Sequence, residues 1–211
     1  MTEKKQRGTC LVTPTGIAKY AWLNKPDNGF NGKEEPAFKV RILLDDTDEN
    51  RAWCDKVIET AKADARRMGV KLKKVHKIPF QFPEDQDEDD FIPQEGRERP
   101  RLDEDHKGRI FFETKSKFKP GLIDSARNAL PEDVFIMSGD KARVKFEINP
   151  YEGLGSGISF RLRTAQLVEK NTSFSGGHGP DTDGFEDIED GYVADQTTGG
   201  EDDDDEDEIP F

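Results

Sequence analysis

Hydrophobic residues along this chain recur with two different periods, and the change of period marks out its elements. In "PAFKVRILLD", Phe38, Val40, Ile42 and Leu44 alternate with Lys39, Arg41 and Leu43. That period of two puts one set of side chains on each face of a half-buried strand. The alternation returns in "ARVKFEINP", where Val144, Phe146 and Ile148 oppose Arg143, Lys145 and Glu147. The glycine-rich "YEGLGSG" then turns this run into "ISFRLRTAQLVEK", which predicts a hairpin. Nearer the start, β-branched and aromatic residues from Cys10 to Leu23 are broken by Pro14 and Gly16 and closed by the turn cluster Lys25 to Gly29. They predict one long, bent strand.

A period of three to four appears once, in Trp53, Val57, Ala61, Ala65 and Met68. It follows the candidate caps Asp45, Asp46, Thr47 and Asp48, and Gly69 ends it, so one helix is expected, its stripe serving as core packing. "GRIFFETKSKF" and "DVFIMSG" supply further strand material around a turn or short helix at Gly121 to Leu130. Strands without a helix at every crossover exclude a parallel sheet. The expected fold is all-β dominated: a five-stranded antiparallel OB-like barrel with one inserted α-helix.

Charge divides the chain more sharply than hydropathy does. Of its 45 acidic residues, 15 lie in 171–211 without a single Lys or Arg, so residues 1–170 are close to neutral. A second acidic block at 83–105 carries eleven acids against Arg97, Arg99 and Arg101. Outside both blocks the body is cationic, with 29 basic and 19 acidic residues. Segregation of this kind speaks to partners rather than to fold. Residues 1–170 therefore read as one domain with an exposed acidic excursion, and 171–211 as a disordered acidic tail that cannot bury enough apolar area to fold. Such a coil reaches roughly 35 Å, far enough to lie across its own domain as a phosphate mimic. Cys10 and Cys54 lack any ligand or redox spacing, the start "MTEKKQRG" carries no apolar signal, and no run is long enough to span a membrane. A reducing cytoplasm is the expected compartment.

Reactive constellations are missing. The sequence has no GxSxG, Walker loop or HExxH, and His76, His106 and His178 fall in the excursion or the tail. No catalytic residue, metal ligand or cofactor is expected. Aromatic and basic residues are instead interleaved along the strands: Tyr20 and Trp22 with Lys25, Lys39 and Arg41, then Arg109, Lys115 and Lys117, then Arg143 and Lys145 beside Tyr151, Arg161 and Arg163. Single-stranded nucleic acid offers base faces to stack on aromatics and phosphates to pair with cations, so these thirteen are the candidate DNA-binding residues. Against each stands the ordinary alternative that an inward aromatic is core and an outward Lys is merely solvated. In the tail, Asp202, Asp203, Asp204, Asp205, Glu206, Asp207 and Glu208 precede "IPF", where Phe211 reads as an apolar anchor for a partner's pocket.

In combination, "GTCLVTPTGIAKYAWLNKPDNGF", "FKVRILL", "ARVKFEINPYEGLGSGISFRLRTAQLVEK", "FEDIEDGYVA" and "DEDEIPF" resemble the single-stranded DNA-binding proteins of podoviruses of the T-seven type. The resemblance covers nearly the whole chain, departing between Val70 and Leu130. It implies an OB-fold with one inserted helix and an acidic tail ending in Phe. It also implies single-stranded DNA binding, strand annealing, a role in replication, recombination and repair, and tail contacts with the phage DNA polymerase and primase-helicase. A homodimer with exchanged tails and a location in the infected host's cytoplasm follow from it too. Tyr151 after Pro150 is similar to the family's base-stacking tyrosine, and Phe211 to its partner-binding residue. Two other classes stay open: an acidic DNA mimic or histone-like chaperone acting through the tail, and a metal-dependent nuclease.

Overall fold

The computed structural model describes residues 7–29, 35–73, 78–86, 104–152 and 156–171. The tail residues Asp202 to Glu208 and Phe211, together with positions 87–103 of the acidic excursion, lie outside the described residues. Seven strands form: β1 (Cys10–Val12), β2 (Gly16–Asp27), β3 (Ala37–Asp45), β4 (Arg109–Ser116), β5 (Gly121–Ile123), β6 (Lys141–Tyr151) and β7 (Gly157–Glu169). The helix α1 (Asp48–Arg67) sits between β3 and β4. Five of the strands close a ring. β2 pairs with β3, β3 with β4, β6 with β7 and β6 with β2, all antiparallel, while a parallel contact at Lys115 and Arg161 joins β4 to β7. β1 and β5 add onto the ring at β6 and β7.

The barrel is filled from alternate positions of its strands. Val40, Ile42 and Leu44 of β3, Ile110 and Phe112 of β4, Val144, Phe146 and Ile148 of β6, and Phe160 and Leu162 of β7 are all buried in one cluster. Its centre is aromatic: Phe146 and Phe160 meet at 4.4 Å between ring centroids, Phe80 and Phe112 at 5.2 Å. Trp53 of α1 reaches into this group, 5.8 Å from both Phe80 and Phe112. These rings pack against the buried aliphatic residues and add strongly to the apolar driving force in a chain whose overall composition is polar.

Three local outcomes differ from the sequence expectations. The expected single bent strand is two strands, because Thr13 leaves the ladder: it is fully buried and its hydroxyl accepts from the Val144 amide at 3.0 Å, fixing a break before Gly16. "DVFIMSG" is not a strand but an irregular segment that turns at residues 138–139 into β6. The stretch expected as a turn or short helix contains the short strand β5, which Leu130 rejoins through its amide to the Leu122 carbonyl at 2.9 Å. The helix follows its expected limits. Of the four candidate caps Thr47 does the work, its hydroxyl accepting from the Asn50 amide at 3.2 Å. Gly69, at φ 71°, closes the other end in a Schellman arrangement, with Val70 and Gly69 amides donating to Ala65 and Arg66 carbonyls.

Asp64 ties the last turn of α1 to the chain entering β1. The carboxylate, 3% exposed, accepts from the Thr9 amide at 2.6 Å, the Thr9 hydroxyl at 3.0 Å and Arg67 at 2.6 Å. Burial alone would raise its pKa, but the hydrogen bonds from Arg67 and Thr9 outweigh burial and hold it below the ordinary carboxylate value. A depressed folded-state pKa stabilises the fold above the unfolded value near ~3.9, and that contribution disappears as pH falls through the folded pKa. Asp64→Asn is expected to cost about 1–3 kcal/mol at pH 7. Urea midpoints at pH 7 and pH 3 check this: the gap between parent and variant narrows at pH 3, and an equal gap at both contradicts the assignment.

Candidate nucleic-acid interface

On β2 an extra residue decides which side chains face out. Lys19 pairs with Arg41 and Trp22 with Lys39, so three steps along β2 match two along β3. The bulge centres on Tyr20, whose φ of 48° is a left-handed value uncommon for a non-glycine residue. Before it Ala18 points inward and after it Leu23 does, both buried. Strict alternation from Ala18 would have buried Trp22; the bulge turns Trp22 outward and leaves it 46% exposed.

Outward residues then line up in rows across the strands. One row, Ile17, Leu43 and Phe111, is apolar, and Leu43 and Phe111 in it are buried. The next holds Lys19, Arg41 and Glu113. A third runs Trp22, Lys39, Lys115 and Arg161 over β2, β3, β4 and β7. With neighbouring strands about 4.8 Å apart, this row spans about 14 Å. Two concavities flank it. One of about 330 Å³ is lined by Asp27, Lys39, Glu113, Lys115 and Lys117 among others. The other, about 380 Å³, lies between Lys115, Tyr151, Ser159 and Phe160, with Glu113 bordering both. A strip of cations thus has an aromatic residue toward each end, Trp22 on β2 and Tyr151 at the close of β6.

The cations differ in how firmly they are held. Arg41 lies 5.0 Å from the ring centroids of both Tyr20 and Phe111 and bonds His106 Nε2 at 3.0 Å. His106 is wholly buried, stacked on Tyr20 at 6.2 Å and edge-on to Phe111 at 4.8 Å. Nothing in its sequence surroundings, a run of acids, marked it as an interior residue. Asp105 beside it is paired with Lys19, whose hydrogen bond lowers the Asp105 pKa, and Arg109 pairs with Asp45 at 3.2 Å. The acidic excursion is anchored at its start as well: Glu84 takes Arg51 at 2.9 Å, and that hydrogen bond brings the Glu84 pKa down to about 2.

Lys39 meets Asp27 at 2.5 Å and Lys117 meets Glu35, both carboxylates having depressed pKa values through those hydrogen bonds. Arg163 is bound to the nearly buried Glu147, and the Arg143 Nε donates to the Thr13 carbonyl at 3.1 Å. Lys115 and Arg161 form no ion pair among the described residues, and neither do Lys25 and Lys145. Lys145 and Arg143 stand about 20 and 27 Å along β6 from Tyr151, at about 3.4 Å per residue, and do not join the row. The candidates therefore separate: Tyr151, Trp22, Lys39, Lys115, Lys117 and Arg161 come together, Lys25 flanks Trp22, and Tyr20, Arg41, Arg109, Arg143 and Arg163 hold the fold's own partners.

Over residues 11–197 the sequence matches the family described as Enterobacter phage Enc34, ssDNA-binding protein. The chain belongs to this family. The same fold recurs in the single-stranded DNA-binding protein of bacteriophage Enc34 in complex with ssDNA, with a TM-score of 0.57 and 18% identity over 77% of this chain and 87% of that one. Gp2.5, the single-stranded DNA-binding protein encoded by bacteriophage T7, superposes with a TM-score of 0.53 at 20% identity, covering 89% of this chain and all of that one. No curated protein matches the chain by sequence. The family is one of binding proteins rather than enzymes. No cluster of His, Cys, Asp and Glu among the described residues is arranged to hold a metal ion, and no helix there is long and apolar enough to cross a membrane.

The contrast between held and available cations has a direct test in stability. Lys115→Ala is expected to shift the free energy of unfolding by less than about 0.5 kcal/mol. Arg41→Ala is expected to cost about 1–3 kcal/mol, because it removes contacts with two rings and the hydrogen bond to His106. Guanidinium unfolding of both variants checks this, and equal midpoints contradict the division.

Proposed function

We propose that this protein binds single-stranded DNA across the outer face of β2, β3, β4 and β7. The strand's phosphates lie along Lys39, Lys115, Lys117 and Arg161, and its bases stack on Trp22 and Tyr151. The observation that carries this reading is the cross-strand row itself, which sets Lys115 and Arg161 side by side between two accessible aromatics. Membership of a family named for binding ssDNA supports it. Stacking requires bases that are splayed out of a duplex, so single strands are preferred over double strands.

The barrel, residues 1–170, is the binding body in this reading, and the acids of 171–211 act as its competitor and its lure. Fifteen acidic residues without a Lys or Arg compete with phosphate for the same cations at an effective concentration of order millimolar. The run Asp202 to Glu208 steers toward basic partners, the phage DNA polymerase and primase-helicase, and Phe211 supplies a buried anchor. A homodimer exchanging tails, coating and annealing strands during replication and recombination in the host cytoplasm, completes the proposal.

Removing one phosphate contact reduces the magnitude of the slope of log affinity against log salt by about 0.7 for single strands. Lys115→Ala and Arg161→Ala are each expected to flatten the slope by this amount in a fluorescence-anisotropy titration. Tyr151→Ala is expected to lose about 1–3 kcal/mol of binding with its slope intact, and Tyr151→Phe to bind like the parent. Unchanged slopes and affinities would place the DNA elsewhere.

Deleting 171–211 is expected to tighten DNA binding and abolish polymerase binding together. Phe211→Ala, which keeps every acid, is expected to leave DNA affinity within about twofold and weaken polymerase binding on a sensor surface. Equal polymerase affinity for Phe211→Ala and the parent would remove the anchor from the proposal.

A further inference from the structure

Beyond Trp22 the strip opens into a third concavity, the most apolar of the three. It measures about 590 Å³ and lies between the outer stretch of β2, residues 20–25, and the irregular segment at 135–138. Trp22, Phe135 and Met137 line it and are 46%, 45% and 51% exposed, three of the six large hydrophobics that stand exposed among the described residues. Buried Leu23 and Ile136 carry these side chains on opposite walls, rooting both segments in the core. The Ala18 amide donates to Asp140 at 2.8 Å and the Gly139 amide to Ala18 at 2.8 Å, so the two walls are clamped at their base. The wall at 135–138 is irregular rather than a strand, which is why its two apolar side chains are not folded into the barrel. Exposing this much apolar surface in one recess calls for an occupant.

We infer that this recess is a base-binding site for the same DNA strand, with Phe135 and Met137 as base-contacting residues in addition to Trp22. The inference rests on the proposed binding of single-stranded DNA and extends its path by one station. Continuity favours a nucleobase over other occupants: Trp22 belongs both to this recess and to the cationic row, where it stands directly opposite Lys39. Lys25 lines the recess, so a phosphate next to a base lodged there has a cation within the same wall. A base brings a flat apolar face with polar edges. Trp and Phe rings stack on such a face, and a thioether makes favourable contacts with aromatic rings while adapting to different base shapes. Stacking of this kind accepts any base, while Asn24 and Ser138 in the same lining offer hydrogen-bonding groups to its edge.

The experiment compares oligothymidylate with an abasic deoxyribose-phosphate oligomer of equal length, which keeps the phosphates and removes the bases. Phe135→Ala is expected to weaken oligothymidylate binding about 5- to 150-fold, and Met137→Ala about 2- to 12-fold. Neither changes abasic-oligomer affinity by more than about twofold, and neither alters the salt slope. Oligothymidylate is also expected to quench tryptophan fluorescence in the parent, and Trp22→Phe to abolish that quenching while Trp53 remains. Parent-like oligothymidylate affinity in both variants, with Lys115→Ala and Arg161→Ala still impaired, overturns the recess and leaves the strip. If Lys115→Ala and Arg161→Ala bind normally too, the strip itself fails. If the Phe135 and Met137 variants instead halve the sedimenting mass and bind DNA as the parent does, the recess is an interface between two copies, which also overturns the inference.

Discussion

Once five strands close into a ring, each side chain on them points either into a single core or out into solvent, and a slip of one residue exchanges the two. Everything that bears on binding follows from where that constraint is obeyed and where it is broken. β3, β4, β6 and β7 send Val40, Ile42, Leu44, Ile110, Phe112, Val144, Phe146, Ile148, Phe160 and Leu162 inward, which fixes the lysines and arginines between them outward in register. β2 loses register with β3 at Tyr20 and again between Trp22 and Asp27, and the first break is the one that places Trp22. The break costs a left-handed backbone conformation, and contacts of the Tyr20 ring with Arg41 and His106 accompany it. In return, Trp22 stands at the head of a row of cations instead of in the core.

Much of this was legible in the pattern of residues. The period-two runs at 38–44 and 142–148 gave strands with the right faces, the glycine-rich stretch after Tyr151 gave the hairpin, and Trp53, Val57, Ala61 and Ala65 gave the helix. The row was not legible, because it depends on which strands are neighbours. Lys39, Lys115 and Arg161 are 76 and 46 positions apart in the chain and adjacent only through pairings of β3 with β4 and β4 with β7. The bulge was hidden for a related reason: a tyrosine carries no propensity for a left-handed conformation, so tertiary contacts rather than local preference place it there. "DVFIMSG" misled in the opposite direction. Its composition is that of a strand, but its hydrogen bonds go to Ala18 near the start of β2, to Asp140 in the turn into β6 and to Lys170, and Phe135 and Met137 remain outside.

Electrostatics divides the body's excess of basic residues into structural and available fractions. Acids from the two ends of the excursion occupy Arg51 and Lys19, and Glu147 occupies Arg163, so the formal surplus overstates what a phosphate chain meets. Lys115 and Arg161 are left in the middle of the face; of the acids along the flanking concavities, Asp27 is paired with Lys39 and Glu35 with Lys117, which leaves Glu113. Lys39 and Lys117 are engaged at exposed or half-exposed pairs, where water and salt already weaken the attraction and a phosphate can compete. A face of this kind has two cations without an ion pair among the described residues and several exchangeable ones, so the binding proposed across it is expected to weaken with salt.

Photo-crosslinking most directly locates the strand on this surface. An oligothymidylate carrying bromodeoxyuridine at successive positions, irradiated on the full-length protein and mapped by peptide mass spectrometry, reports which side chains touch bases. Crosslinks confined to Trp22, Phe135, Tyr151 and their immediate neighbours are the predicted result. Crosslinks concentrated instead around Arg143 and Lys145, or along α1, with none at Trp22 or Tyr151, would contradict a path across β2, β3, β4 and β7.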